Sequence, residues 1–115
     1  MVRARVSSGS SVWEAPFALD TGASRTFISV RLAESLGLEH KHASKRARIT
    51  TVSGIENPAI LAVQSVEALG LRRENLEVLC HPLPAESMID GLLGMDFFDG
   101  CRLTINFREH SITVD

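Results

Sequence analysis

The chain has 115 residues, 44% of them apolar, and a formal net charge of −2. That is the size of one ordinary domain and apolar enough to fold, so a single domain over residues 1–115 is expected. The charge balance argues against nucleic acid as a partner, and no apolar run reaches the roughly 18 residues of a membrane span.

Residues 2–6 ("VRARV") alternate apolar and basic side chains, the period of two that marks a strand. Residues 7–11 ("SSGSS") are turn material, and residues 12–19 return as a second strand, irregular at Pro16, which has no N–H for a ladder. This hairpin delivers Asp20 at its end. Ile28, Leu32 and Leu36 fall four apart, with Ala33 on the same side. Residues 30–36 are therefore expected as a helix, capped by Ser29 and ended by Gly37. The basic stretch 41–48 ("KHASKRAR") reads as a solvated loop and strand edge. Residues 47–52 read as a strand, 53–58 as a turn and 59–69 as the returning strand, a hairpin with polar residues and a glycine at its tip. Residues 70–75 form the next turn and 76–80 a short strand, stopped by Pro82 and Pro84. Residues 91–98 are a tight apolar segment around Gly94, with a short helix near 95–99. Leu103, Ile105 and Phe107 alternate, as do Ile112 and Val114, so the chain should end in a hairpin. Many short strands at this spacing predict an all-β barrel or sandwich.

One tripeptide carries chemistry. "FALDTGASRTFIS" holds Asp20-Thr21-Gly22 between apolar residues, and Asp-Thr-Gly occurs once in the chain. A carboxylate at a strand end can sit in an exposed turn, and Gly22 lets the backbone approach a ligand or another chain. To cut a peptide bond, one carboxylate must take a proton from water while another group gives one to the carbonyl oxygen. A lone Asp cannot be in both states. Two carboxylates sharing one proton can, because like charges about 3 Å apart cannot both ionise.

Two motifs in order, Ala18-Leu19-Asp20-Thr21-Gly22-Ala23-Ser24 and later Ile89-Asp90-Gly91-Leu92-Leu93-Gly94-Met95-Asp96-Phe97-Phe98, resemble those of retropepsin-like aspartic proteases. The wording is nearer to cellular and bacterial members than to viral ones, since Met95 and Ser24-Arg25 stand where viral enzymes carry charged partners. The resemblance covers nearly the whole chain. It implies a retropepsin-like closed barrel with one short helix after the active-site loop and a glycine-tipped flap. It also implies an aspartic endopeptidase that needs no cofactor or metal, acting on peptides or unfolded proteins. In that reading Asp20 is the catalytic carboxylate. Thr21 ties the two loops of a dimer together, Gly22 accepts substrate backbone and Ala23 completes the loop. Val52, Ser53 and Gly54 form the flap, and Leu92, Leu93 and Gly94 support the loop from behind. A single Asp-Thr-Gly implies a homodimer with the site on its two-fold axis, and the terminal strands near residues 2–6 and 111–114 are the expected dimer sheet. Ala23 stands where pepsins carry a hydroxyl, so activity is expected to peak in mildly rather than strongly acid conditions. The alternative is a peptide- or protein-binding dimer of the same fold with little or no proteolysis.

Other residues have plainer expectations. Asp90 and Asp96 read as caps and loop anchors, and Met95, Phe97 and Phe98 as core. His40 and His42 have no completing ligand nearby, so no metal is expected. Cys80, beside His81, reads as a core residue rather than a nucleophile. Cys80 and Cys101 read as free thiols of a reducing compartment. The start of the chain lacks the apolar segment of a secretory signal, so a cytoplasmic protein is the expectation.

Overall fold

The computed structural model describes residues 1–115, apart from the surroundings of the Ala85 side chain. Strands β1 (Val2–Ser8) and β2 (Ser11–Leu19) form the opening hairpin, with Ser8 paired to Ser11 across a two-residue turn. Gly9 there has φ of 59°, the left-handed conformation that such tight turns require. After the short strand β3 (Phe27–Ile28) comes helix α1 (Val30–Ser35). Ser29 caps it, its hydroxyl accepting the Leu32 N–H at 3.0 Å. Gly37 ends it at φ 74°: its N–H donates to Glu34 O and the Leu38 N–H to Ala33 O, so two orphan carbonyls are satisfied. Leu32, Ala33 and Leu36 are buried, so the expected apolar stripe faces the core. The helix stops one residue short of the expected span because Leu36 is the cap itself.

Strands β6 (Ala59–Ala68) and β7 (Leu71–Cys80) are the longest pair. β6 alternates buried and exposed residues over its first half. Strand β8 (Gly91–Leu93) follows a short 3-10 turn at Ala85–Ser87. Six strands close into a barrel in the order β1-β2-β8-β3-β7-β6. Closure leaves these strands paired on both sides, which removes exposed edges. β8 is the inserted piece. It runs parallel to β2 and antiparallel to β3, while β3 runs parallel to β7. Phe17, Ile28, Val63, Val66, Val78, Leu93 and Phe97 fill the core.

Two short sheets stand apart from the barrel. Strands β4 (Ile49–Thr51) and β5 (Gly54–Glu56) form one; β9 (Leu103–Asn106) and β10 (Ser111–Val114) form the other. The final hairpin is where the alternation put it, closed by mutual 3.0 Å bonds between Arg102 and Asp115.

Three local expectations change. The hairpin expected between 47–52 and 59–69 closes earlier, since Thr51 pairs with Gly54 inside the expected turn. Gly54, at φ 131°, supplies a backbone conformation closed to other residues. β6 pairs instead with β7 and β1. The expected turn at 70–75 is strand from Leu71 onward, and the reversal sits at Leu69–Gly70, where both φ values are positive. The polar run misled because this part of β7 faces water, where Arg72 pairs with Glu67 and Glu74. Residues 95–100 form consecutive turns, with Phe97 and Phe98 donating three residues back to Gly94 and Met95, rather than a regular helix.

The opening strand is not wholly free to build a dimer sheet. Arg5, Ser7 and Val6 between them pair with β6 as well as β2. The C-terminal hairpin is the terminal element that stays outside the barrel.

Candidate functional site

Asp20 follows β2 directly. Its N–H donates to Leu93 O at 3.0 Å, so β8 carries the strand pairing up to the carboxylate. The chain then turns tightly, and the Ala23 N–H donates to Asp20 O at 3.2 Å. The carboxylate folds back over this turn, with Oδ1 accepting the Gly22 N–H at 3.0 Å. Asp20 is half-buried, while Thr21 and Gly22 are exposed. Ala23 brings no hydroxyl to the carboxylate; the backbone donor of Gly22 serves it.

The segment after β8 holds this loop from behind. Met95 N–H donates to Ala23 O at 2.8 Å and Asp96 N–H to Ser24 O at 3.2 Å. Between these contacts lies Thr26, fully buried. Its hydroxyl donates to Asp96 Oδ1 at 2.7 Å and accepts the Gly94 N–H at 3.2 Å. Asp96 Oδ1 also accepts the Phe97 N–H at 2.8 Å. Only glycine fits at 94: a Cβ there would lie 2.4 Å from Arg25 O and 2.9 Å from Ala23 O. Gly91 is excluded from carrying a side chain in the same way, by the Phe17 ring at 2.2 Å. Asp90 anchors the other end, its Oδ1 accepting from Ser29 Oγ at 3.1 Å and from Arg31 Nη2 at 2.7 Å. The anchor reading of Asp90 and Asp96 therefore matches the contacts; Phe97 is core and Phe98 packs partly buried against it, but Met95, expected in the core, is exposed.

Thr26→Val tests this wiring. The isosteric change orphans the buried Gly94 N–H and removes a bond to a carboxylate, so it should cost about 2–3 kcal/mol in a urea unfolding curve. Thr26→Ser should restore most of it.

The strand register builds a second feature beside Asp20. Ala18 pairs with Leu92, Leu92 with Phe27, Phe27 with Leu79 and Leu79 with Ile60. Cross-strand partners share a face, so these five apolar residues form one track across β2-β8-β3-β7-β6. Ala18, Leu92, Phe27 and Ile60 are only half-buried, and the track lies opposite the row of Phe17, Gly91, Ile28 and Cys80 that faces the core. It starts two residues from Asp20. Leu79 in the middle of the track is buried, so the open parts are Ala18, Leu92 and Phe27 on one side and Ile60 on the other, apolar surface that suits extended chain with apolar side chains.

The candidate residues thus divide. Asp20, Thr21, Gly22 and Ala23 are brought against Leu93 and Gly94, with Leu92 on the adjoining track. Val52, Ser53 and Gly54 are exposed at the tip of the separate β4–β5 sheet, where Thr51 Oγ1 donates to Gly54 O at 3.1 Å. Among the described residues, no hydrogen bond joins that tip to residues 20–26. Sequence reasoning missed Thr26 as the hub and Phe27, Leu79 and Ile60 as the track. Thr26 and Asp96 are 70 residues apart, and no spacing rule links them.

A cleft of about 590 Å³ lies between the base of β5, the start of α1 and the end of β7, and Asp20 does not line it. His40 faces Glu34 there at 3.4 Å, and no group of three or more metal-type side chains gathers among the described residues. Cys80 is buried, and burial pushes its thiol up to about 11. A thiol so hard to ionise is a poor nucleophile. With a thiol-alkylating reagent near pH 8, half-buried Cys101 should react in the native protein and Cys80 only after unfolding.

A family model described as aspartyl protease matches residues 2–97. The chain belongs to the aspartyl protease family. The match takes in the whole barrel and the Asp20 loop and ends just before the C-terminal hairpin. Among solved structures, a retropepsin-like aspartic protease from Rickettsia conorii is similar, with a TM-score of 0.69 at 21% identity over 97% of this chain and 77% of that one. At that identity the likeness speaks for the fold, and the barrel of this aspartyl protease family member is retropepsin-like. No curated protein matches the chain. No helix is long and apolar enough to cross a membrane.

Proposed function

We propose that the chain is an aspartic endopeptidase working as a homodimer, with Asp20 as its catalytic residue. The observation that carries this is the pinned Asp20 loop. One half-buried carboxylate stands at the end of a barrel strand, held by β8 and the Thr26 hub, with no second carboxylate of its own kind in the chain. Such a loop is half of a proton-sharing pair, and a second copy supplies the other half.

In the dimer the two Asp20 carboxylates share one proton. The ionised member takes a proton from a water molecule as that water attacks the peptide carbonyl. The protonated member donates its proton to the carbonyl oxygen. Collapse of the tetrahedral intermediate passes a proton to the leaving amine and restores the shared state. Thr21 and Gly22, exposed beside the carboxylate, are free to meet the partner loop and the peptide backbone. The apolar track from Ala18 to Ile60 takes the side chains flanking the scissile bond, and Val52, Ser53 and Gly54 close over them and exclude water.

The C-terminal hairpin supplies the dimer contact. Leu103 pairs with Val114 and Ile105 with Ile112, so one face is apolar, while Thr104, Thr113, Asn106 and Ser111 fill the other. Phe107 at its tip is 83% exposed. A lone two-stranded sheet is marginal in water, and its apolar face gains by packing on a second copy.

The test is cleavage of an unfolded protein between about pH 4 and pH 7, from the ordinary carboxylate range upward, over a dilution series with sedimentation in parallel. Specific activity should fall as the dimer dissociates. A dimer that binds peptides and cuts none would favour the binding-module alternative, and a monomer at high concentration would overturn both.

A further inference from the structure

The β4–β5 hairpin hangs from the barrel by its two legs. Ala47 N–H donates to Pro58 O at 3.0 Å and Ile60 N–H to Lys45 O at 2.9 Å. Beyond those legs, the side chains of residues 49–56 make one hydrogen bond to the rest of the chain among the described residues. It joins the Glu56 carboxylate on β5 to Nε2 of His81, just past β7. His81 is well placed to hold it. Its backbone N–H donates to Ile28 O at 3.1 Å, and its ring meets Phe27 of the apolar track edge-on, centroids 6.3 Å apart.

The other ring nitrogen decides the chemistry. His81 Nδ1 lies 2.8 Å from Pro82 O. A carbonyl oxygen only accepts, so Nδ1 must carry a hydrogen. In a neutral imidazole Nε2 is then bare and faces an ionised carboxylate, acceptor against acceptor. With two protons on the ring, both nitrogens donate and every partner is satisfied.

We propose that His81 and Glu56 form a proton-operated latch that positions the β4–β5 hairpin against the barrel wall, engaged when the imidazole is charged and released when it is neutral. Both ring nitrogens face acceptors, so adding the second proton satisfies them and the latch closes as pH falls. The other ionisable groups on the same cleft are His40, Lys41, Arg46 and Cys80. Arg46 is engaged by the carbonyls of Asn57, His40 and Lys41, and His40 faces Glu34. Lys41 also lines the cleft, with no ion pair to Glu56 among the described residues. The latch stands on these contacts alone, while its effect on peptide turnover rests on the proposed function.

Amide hydrogen exchange in residues 49–56, corrected for intrinsic rates, tests it at pH 5 and pH 8. Wild-type protection should be roughly tenfold greater at pH 5, in line with one charge-assisted hydrogen bond. His81→Phe keeps the ring edge on Phe27 but loses the bond, so protection should be low at both pH values. His81→Gln keeps a neutral donor, so protection should return without the pH dependence. Glu56→Gln offers its amide N–H to the neutral ring, so the pH dependence should vanish or reverse. Equal wild-type protection at both pH values, or full protection in His81→Phe, would overturn the latch. If peptides are cut, His81→Phe should raise KM several-fold with kcat nearly unchanged. If none are cut, the proposed function fails while the exchange result still decides the latch.

Discussion

Asp20→Asn should abolish peptide cleavage, lowering the rate by about 10²–10⁴-fold or more, and leave the fold intact. Asparagine is nearly isosteric, and its carbonyl oxygen can still accept the Gly22 N–H that holds the Asp20 side chain at 3.0 Å. The backbone bond from residue 20 to Leu93 O is untouched. Stability should therefore stay within about 0.5 kcal/mol of wild type, and the sedimentation profile should not change. What is lost is titration: an amide can neither take a proton from water nor give one to a carbonyl. Mixing makes the prediction sharper. If each site needs Asp20 from both protomers, an excess of the Asn variant should draw wild-type chains into dead heterodimers. Activity should then fall well below the wild-type fraction. A variant that still cuts, or a mixture whose activity simply tracks the wild-type content, would exclude the shared-proton mechanism.

Gly94→Ala is expected to be the most damaging conservative change for stability. The added methyl would sit 2.4 Å from Arg25 O and 2.9 Å from Ala23 O. Both are backbone atoms of the loop that carries Asp20, so neither can swing aside as a side chain would. The segment must move off the loop. That stretches the Met95 to Ala23 and Asp96 to Ser24 bonds and pulls Gly94 N–H away from Thr26. Overpacking together with lost buried hydrogen bonds should cost about 3 kcal/mol, a fall in Tm of roughly 10 °C or more. Gly22→Ala is the contrast, since its methyl would meet only Asp20 Oδ1, at 3.3 Å. It should unfold close to wild type. Equal stability of the two variants would refute the role given to Gly94.

These effects also mark where local pattern was informative. The helix was legible because Ser29, the four-residue apolar spacing and Gly37 all act within one short stretch. The last hairpin was legible because Leu103, Ile105, Ile112 and Val114 alternate. The polar run at 72–75 was misread because Arg72, Arg73, Glu74 and Asn75 look like turn residues until β6 lies beside them. Arg73 is a case in point: its Nε donates to Phe97 O at 2.8 Å, and its Nη2 reaches Asp99 O, so it steadies the turn behind the Asp20 loop from a distant strand.

By itself the sequence determined the chemistry available to this protein: one Asp-Thr-Gly after an apolar strand, a glycine in the supporting segment, and the resemblance those two motifs carry. Hydrophobic alternation and turn residues act between near neighbours, so they also marked most strands. Only the tertiary structure decided what surrounds Asp20. The insertion of β8 between β2 and β3 brings Gly94 and Asp96 onto Thr26 and aligns five strands' worth of side chains into one track, while the β4–β5 hairpin, joined to β6, sets Glu56 against His81. The Thr26–Asp96 and Glu56–His81 contacts join residues 70 and 25 positions apart. They exist because barrel closure brings distant strands into register, and no local pattern encodes which strand will lie beside which.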